Sequence, residues 1–468
     1  MSKVESSYPT ANLALNSKFG LGGRLVSNTA MLAGARIIST ILGVGTLIMA
    51  AKVLSDNAAL GTLLFIHAYM LFFSEIVSFK FWQALIRFGV DELKTKNAGR
   101  LGSLIKTGLI LDFIAAIIGF LLSILLFNVF LWAQASFGVS GDGSAPSTIN
   151  PANLKTWVFA YCTVILFRQV NVSIGIFRLF DKFFILSVRA LVMPSIRFIG
   201  VIIAGLQGWG LTELLYIWFA ASVSGYLFLQ VFAAIEVFKR HLWPAVKHAK
   251  ICRSKVFPGL YAFVVKTNID STLKAFNSNF PSIAIMLVFG PSLLAVYKIA
   301  EEISKLLSRG IKLFNQLLFP ELSRMAADMD LKALSATTAK AALFIGLLSI
   351  GVTGLVLLFG RDLVVGALDS SFKDSPILAV MLLISTSLAG IATPFYLLFY
   401  AIMKPGAAIQ VRMIGTILFV GLFFLLSRHF ALYSIGFAAI AGALIETALV
   451  IGVASYLTVK LSKQDKES

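Results

Sequence analysis

Long apolar segments separated by short polar turns recur along the whole of this chain. Since about 20 apolar residues are needed to cross the hydrocarbon core of a bilayer, each such segment is predicted as a membrane-spanning helix. The twelve predicted spans are 25–51, 57–80, 102–133, 155–177, 183–205, 210–238, 257–289, 292–319, 335–359, 375–402, 406–428 and 432–460. The pattern predicts an all-α polytopic membrane protein.

Two of these spans carry stripes of polar residues. In the span 292–319 the charges recur at alternating spacings of four and three residues, which places them on one helix face. The stripes consist of Lys298, Glu302, Lys305, Arg309 and Lys312 in that span, and of Lys266, Asp270, Lys274 and Asn277 in the preceding span. Each such charge at the bilayer centre costs roughly 2.5–3.5 kcal/mol on insertion scales. We therefore expect both faces to line a hydrated interior, which in a helical membrane protein favours transport.

The composition agrees with a membrane protein. Hydrophobic residues make up 58% of the 468 residues and charged residues 13%, with a mean hydropathy of +0.89, whereas soluble domains are about a quarter charged. The only two cysteines, Cys162 and Cys252, lie in an apolar span and a basic loop, which argues against a disulfide framework or a metal site. We predict no metal, cofactor or catalytic residue.

The basic residues fix the expected orientation. They concentrate in alternate loops, and the positive-inside rule places those loops, together with both termini, in the cytoplasm. The net charge of +18 is then explained by topology and by attraction to anionic membrane lipids, and not by nucleic-acid binding.

The longest basic stretch divides the chain near its midpoint into two halves of six spans. An even number of spans per half inserts both halves in the same direction, which predicts parallel repeats around a central cationic cavity. The expected segments are a cytoplasmic N-terminal segment 1–24, an N-terminal six-helix half 25–238, a basic cytoplasmic linker 239–256, a C-terminal six-helix half 257–460 and a cytoplasmic tail 461–468.

Short motifs around the charged span resemble a known family. Segment 295–300 (AVYKIA) and segment 318–324 (LFPELSR) resemble the central signature of Wzx-type polysaccharide or O-antigen flippases. These flippases form a branch of the multidrug/oligosaccharidyl-lipid/polysaccharide (MOP) exporter superfamily. The segment 34–36 (GAR) fits as well, whereas Ala295 stands where relatives usually carry glycine. The resemblance covers nearly the whole chain in length and span count.

The resemblance implies translocation of an undecaprenyl-diphosphate-linked oligosaccharide from the cytoplasmic to the outer leaflet of the bacterial inner membrane, with polysaccharide polymerase or chain-length proteins as partners. A diphosphate needs cations in a low-dielectric site. The predicted ligands are Arg36, Arg189, Arg197, Lys266, Lys274, Lys298, Lys305 and Arg309. Asp270, Glu302 or Glu75 is the candidate for coupling to H⁺ or Na⁺.

Several intramembrane polar residues also have structural interpretations. The charges of the span 292–319 can form ion pairs with one another that stabilise the packing of two helices. Arg168 can extend to the headgroups, and His67 favours a packing role over a proton relay. Asp112 and Glu446 are either helix-packing partners or coupling sites.

Two other function classes are weighed against the flippase. A cation-coupled exporter of drugs or metabolites from the same superfamily is expected to have an acidic, aromatic cavity, whereas the spans here carry a surplus of cations. A membrane enzyme, such as a glycan polymerase or an acyltransferase, is expected to show an arginine-bearing outer loop or a histidine constellation. The longest outer loop, 134–154, contains no arginine, and the chain has four histidines.

Overall fold

The computed structural model describes residues 21–137, 151–252, 257–327, 331–368, 370–402 and 404–467. Regular secondary structure in these ranges is entirely helical, which confirms the all-α prediction. Ten helical segments there are long and apolar enough to cross a membrane. Two further helices, α11 and α12 below, have 30 and 37 residues but carry the charged stripes. The chain is thus a multi-pass membrane protein.

The first half of the chain forms ten helices. They are α1 (Leu21–Leu54), α2 (Asn57–Ile76), α3 (Phe81–Lys94), α4 (Ala98–Phe137), α5 (Pro151–Cys162), α6 (Val164–Phe167), α7 (Asn171–Leu179), α8 (Phe183–Gln207), α9 (Leu211–Lys239) and α10 (Trp243–His248). The second half adds α11 (Leu260–Phe289), α12 (Pro291–Ala327), α13 (Leu331–Ala367), α14 (Ser375–Ala401), α15 (Pro405–Phe430) and α16 (Tyr433–Glu467).

The described residues divide into two compact units. Unit 1 contains those within 1–54, 66–132 and 149–280, and unit 2 contains those within 55–65, 133–148 and 281–468. Helices α2, α4 and α11 each contribute to both units, so the units do not follow chain order. The predicted division into two six-helix halves with the boundaries given above remains a prediction.

Unit 1 contains the packed pairs α1–α8, α8–α9 and α3–α7. The short helix α3 was not predicted, because its apolar residues are interleaved with charged ones and give no long hydrophobic run. Its buried positions include Phe81, Ala84 and Leu85, spaced three or four residues apart as in an amphipathic helix.

Unit 2 is built around α14, which packs against α12, α13 and α16, while α16 also packs against α15. Fully buried residues such as Leu322, Leu334, Phe399 and Val450 form its core. Helix α14 carries no charged residue, and it covers the face of α12 that packs against it.

The predicted span 155–177 is not one continuous helix. It is broken into α5, α6 and α7, and the backbone at 168–170 leaves the helical pattern. The Gln230 side-chain amide donates to the carbonyl oxygens of Phe167 and Gln169 at 2.6 and 3.5 Å, which satisfies backbone groups freed by the break. Irregular backbone at membrane depth is tolerated where protein or a hydrated cavity surrounds it.

Candidate functional site

The helix break in unit 1 positions Arg168 inside the protein. Its guanidinium donates to Ser74 Oγ at 2.7 Å and to Glu75 Oε1 at 2.8 Å. The amide of Asn279 on α11 donates to the other oxygen of Glu75 at 3.1 Å. The interpretation of Arg168 as a residue that extends to the headgroups is therefore wrong: its side chain is 15% exposed and ion-paired.

A second arginine, Arg189, contacts the same tyrosine ring as Arg168. The Cζ atoms of Arg168 and Arg189 are 5.9 and 5.8 Å from the centroid of the buried Tyr226 ring. Cation–π contacts of this kind hold guanidinium groups without neutralising them. Within the described residues Arg189 makes no ion pair with a carboxylate, and its Nε atom is buried without a hydrogen-bond partner.

A third arginine, Arg197, lies two helical turns further along α8 and contacts neutral groups. Its Nη2 donates to Ser222 Oγ at 3.0 Å and to His67 Nε2 at 3.4 Å, and its Cζ lies 5.4 Å from the Trp218 ring. His67 Nδ1 is 2.9 Å from the hydroxyl of Tyr161. His67 thus has a hydrogen-bond partner at each ring nitrogen, and one of these partners is a predicted ligand.

We call Arg168, Arg189 and Arg197 the arginine cluster of unit 1. The three side chains come from the broken span and α8, and Ser222 and Tyr226 on α9 lie one turn apart between them. In the contacts described above, Glu75 is the one carboxylate that pairs with the cluster. Since unpaired charges inside a membrane are costly, the surplus of two cations marks the cluster as a candidate anion site.

In unit 2 the charges of α12 form an ion-pair ladder, by which we mean Lys298, Glu301, Glu302, Lys305 and Arg309. Glu301 accepts from both lysines at 2.8 and 2.9 Å, and Glu302 accepts from Lys305 at 2.9 Å and from Arg309 at 3.1 Å. The stripe therefore pairs internally through Glu301, a buried residue that the sequence analysis missed although it lies three residues after one lysine and four before the other.

The other predicted ligands occupy varied positions. Arg36 on α1 and Lys274 on α11 are exposed. Lys266 and Asp270 also lie on α11, but their side chains are outside the part of the chain whose side chains the structure describes. The structure thus groups Arg189 and Arg197 in one unit and Lys298, Lys305 and Arg309 in the other.

The two isolated intramembrane acids have structural contacts. Asp112 accepts from the Asn171 amide at 2.9 Å and from the Val172 backbone N–H at 3.1 Å, so it caps the first turn of α7 from α4. Glu446 accepts from the hydroxyl of Tyr396 at 2.6 Å and joins α16 to α14. Both contacts favour the packing interpretation.

Replacing Asp112 by alanine is expected to lower the free energy of unfolding by about 1–3 kcal/mol, because a buried backbone N–H and the Asn171 amide lose their acceptor. Unfolding of the purified protein in lipid nanodiscs measures the change. The exposed Asp362 on α13 provides the control, and Asp362→Ala is expected to change stability by less than about 0.5 kcal/mol. Equal stability of the two variants would contradict the capping role.

Comparison with known proteins finds a family that matches part of the chain and a fold that is shared with solved structures. Residues 150–377 match the polysaccharide biosynthesis protein family. The inner membrane protein YghQ of Escherichia coli (strain K12) is 23% identical over 341 residues, which cover 73% of this chain and 91% of that protein.

Solved transporter structures share the fold over almost the whole chain. An inward-facing multidrug resistance MATE family transporter of the MOP superfamily superposes with a TM-score of 0.72 at 12% identity, covering 92% of this chain and 99% of that one. The lipid II flippase MurJ in an inward closed conformation gives 0.65 at 13% identity, covering 92% and 90%. At these identities the similarity establishes the fold alone, which this chain shares with both transporters.

Proposed function

Because residues 150–377 match the polysaccharide biosynthesis protein family and the chain shares its fold with MOP-superfamily transporters, we propose that it is a lipid-linked glycan flippase. Its substrate is an undecaprenyl-diphosphate-linked oligosaccharide, which it moves from the cytoplasmic to the outer leaflet of the bacterial inner membrane. Both termini are cytoplasmic, and a polysaccharide polymerase or chain-length protein takes over the product.

The observation that carries this proposal is the charge surplus of the arginine cluster. Arg189 and Arg197 contact aromatic rings and neutral hydrogen-bond acceptors, and neither forms an ion pair with a described carboxylate. A diphosphate diester carries two negative charges and several acceptor oxygens. Charge-assisted hydrogen bonds from guanidinium groups to phosphate are among the strongest polar contacts in proteins, so such a head group matches both free cations.

Arg168 and Glu75 provide a means of coupling. A phosphate oxygen that takes the place of Glu75 at Arg168 leaves that carboxylate without its cation, and a carboxylate in this environment then favours uptake of a proton or Na⁺. The ion pair is 2.8 Å long and both side chains are partly accessible. Glu75 is thus the leading coupling residue, with Asp270 and Glu302 as the further candidates.

The remaining predicted ligands keep the roles that the sequence predicts for them. Lys305 and Arg309 are 33% and 39% exposed, so they remain accessible to an anion despite their pairing with glutamates. Lys298 is 13% exposed and is held by Glu301. Arg36, Lys266 and Lys274 remain in the proposal as contacts from α1 and α11.

An exporter of organic cations fits the described residues less well. A cationic substrate needs a carboxylate or an open aromatic box, whereas the aromatic faces of Tyr226 and Trp218 are already occupied by arginines. The arrangement would repel a cation at the position where it attracts an anion.

The leaflet distribution of polyprenyl-diphosphate glycans in cells lacking this protein tests the proposal. Membrane-impermeant oxidation of the glycan reports the outer-leaflet fraction. We expect the glycan to accumulate in the cytoplasmic leaflet and the wild-type protein to restore its outward transfer. An unchanged distribution, in cells shown to have no second flippase for the same glycan, would contradict the proposal and favour a small-molecule exporter.

A further inference from the structure

His67 belongs to a hydrogen-bond network whose donor directions are fixed. A guanidinium can only donate, so Nε2 of His67 accepts from Arg197 and its proton lies on Nδ1. That N–H donates to the hydroxyl oxygen of Tyr161 at 2.9 Å. Tyr161 in turn donates to Ser222 Oγ at 3.3 Å, and Ser222 donates to the Trp218 carbonyl at 2.8 Å. The observed network therefore requires a neutral imidazole.

Protonation of His67 is incompatible with this arrangement. A proton on Nε2 would convert the acceptor of Arg197 into a donor and would place two cations at a separation of 3.4 Å. The Nε atom of Arg197 is already buried without a hydrogen-bond partner. Once the hydrogen bond to His67 is lost, Ser222 is the acceptor that the guanidinium keeps in this network. An incoming anion would restore the lost interactions and shield both charges.

The groups that surround His67 come from several helices. Arg197 faces it from α8, Tyr161 from α5, and Ser222 with Trp218 extends the network on α9. Arg197 is a permanent cation in direct hydrogen-bond contact with His67, and it makes no ion pair with a carboxylate of the described chain.

We propose that His67 is a proton-binding site that controls the availability of Arg197 for an anionic substrate. A proton from water binds at Nε2, the hydrogen bond from Arg197 Nη2 to Nε2 breaks, and the released guanidinium binds the anion. Departure of the anion reverses these steps and returns the proton to water. Proton and anion therefore favour each other's binding, as thermodynamic linkage requires. The inference rests on the proposed function for the identity of the anion, a diphosphate.

Binding of P1,P2-dimethyl diphosphate to the full-length protein in lipid nanodiscs tests the linkage. This diester keeps both charges between pH 6 and 8, so a change in its affinity reports the protein. The fluorescence of Trp218, whose ring lies 5.4 Å from Arg197 Cζ, reports binding. The chain has six tryptophans, and the signal of the other five is removed by subtracting the fluorescence of the Trp218→Phe variant from that of the wild type. We expect binding about tenfold tighter at pH 6 than at pH 8.

The variants His67→Gln and Glu75→Gln separate the two candidate proton sites. Glutamine at 67 retains an acceptor for Arg197 but cannot become charged, so the pH dependence of its affinity is expected to fall to the part that Glu75 contributes. Glu75→Gln removes any contribution of that carboxylate and is expected to retain the part of the pH dependence that His67 contributes. Equal affinity of the wild type at both pH values, or loss of the pH dependence in Glu75→Gln but not in His67→Gln, would overturn the proposal.

A measurement without ligand makes the test independent of binding. The chain has four histidines, and His241→Gln/His248→Gln/His429→Gln leaves His67 for ¹⁵N nuclear magnetic resonance. We expect the Nδ1–H form at pH 8 and the imidazolium on acidification. An Nε2–H form, or a ring that stays neutral to pH 5, would contradict the inference. The leaflet assay above would still decide the proposed function by itself.

Discussion

Replacement of Arg189 and Arg197 together by glutamine is expected to reduce glycan flipping at least 100-fold while the protein remains folded. Each arginine is proposed to donate charge-assisted hydrogen bonds to the diphosphate, which contribute about 1.5–3 kcal/mol each. Loss of two such contacts corresponds to about 10²–10⁴ in binding, since about 1.4 kcal/mol is tenfold. Because neither arginine pairs with a described carboxylate, the substitution leaves no acid without its cation.

A matched control comes from a surface arginine of α12. Arg324 is 78% exposed and pairs with Glu321 at 3.6 Å, so Arg324→Gln is expected to flip glycan at the wild-type rate. The rate of flipping in cells and the amount of folded protein are measured for both variants. Wild-type flipping by the double variant at equal abundance would remove the arginine cluster from the substrate path.

Replacement of Glu301 by glutamine is expected to lower the free energy of unfolding by about 3–5 kcal/mol. The side chain is 9% exposed and holds Lys298 and Lys305. Lys305 retains Glu302 after the substitution, but Lys298 loses the carboxylate of its ion pair. Removal of one partner from a buried pair costs this much because the other charge stays buried without compensation. Unfolding in nanodiscs measures the loss.

Removal of both charges is expected to restore stability. Lys298→Met/Glu301→Gln leaves no unpaired charge at this position, and replacement of a buried ion pair by groups of similar volume is often neutral or stabilising. A stable double variant that flips glycan would show that Lys298 serves the architecture of α12. A stable double variant without transport would instead make Lys298 a substrate ligand, and equal destabilisation of the single and double variants would refute the buried pair.

The sequence predicted the positions of the long helices and the charged face of α12 well. Both are set by local periodicity, since a run of apolar residues or a spacing of three and four residues is visible without knowledge of the fold. The ion pairs within the ladder could also have been predicted from the spacing of its residues. Glu301 lies three residues after Lys298 and four before Lys305. It was missed because the predicted stripe, with its alternating spacing of four and three residues, does not include position 301.

The break in the fourth span could not be predicted from local pattern. Its stability depends on Asp112 and Gln230, which lie 60 and 63 residues from the backbone groups Val172 and Phe167 that they satisfy. Hydropathy therefore predicted one continuous helix, in which Arg168 was interpreted as a side chain that extends to the headgroups. The helix break, together with the contact to Glu75 from α2, is what makes that arginine part of an interior cluster.

Flipping by the purified protein in proteoliposomes tests the proposed function most directly. A fluorescent polyprenyl-diphosphate oligosaccharide is added to the membrane, and an impermeant quencher reports the fraction in each leaflet over time. We expect the wild-type protein to accelerate exchange between leaflets, Arg189→Gln/Arg197→Gln to match protein-free liposomes, and a neutral polyprenol-linked glycan to be moved poorly. Equal acceleration for the neutral lipid, or none for the diphosphate, would contradict a diphosphate-recognising flippase.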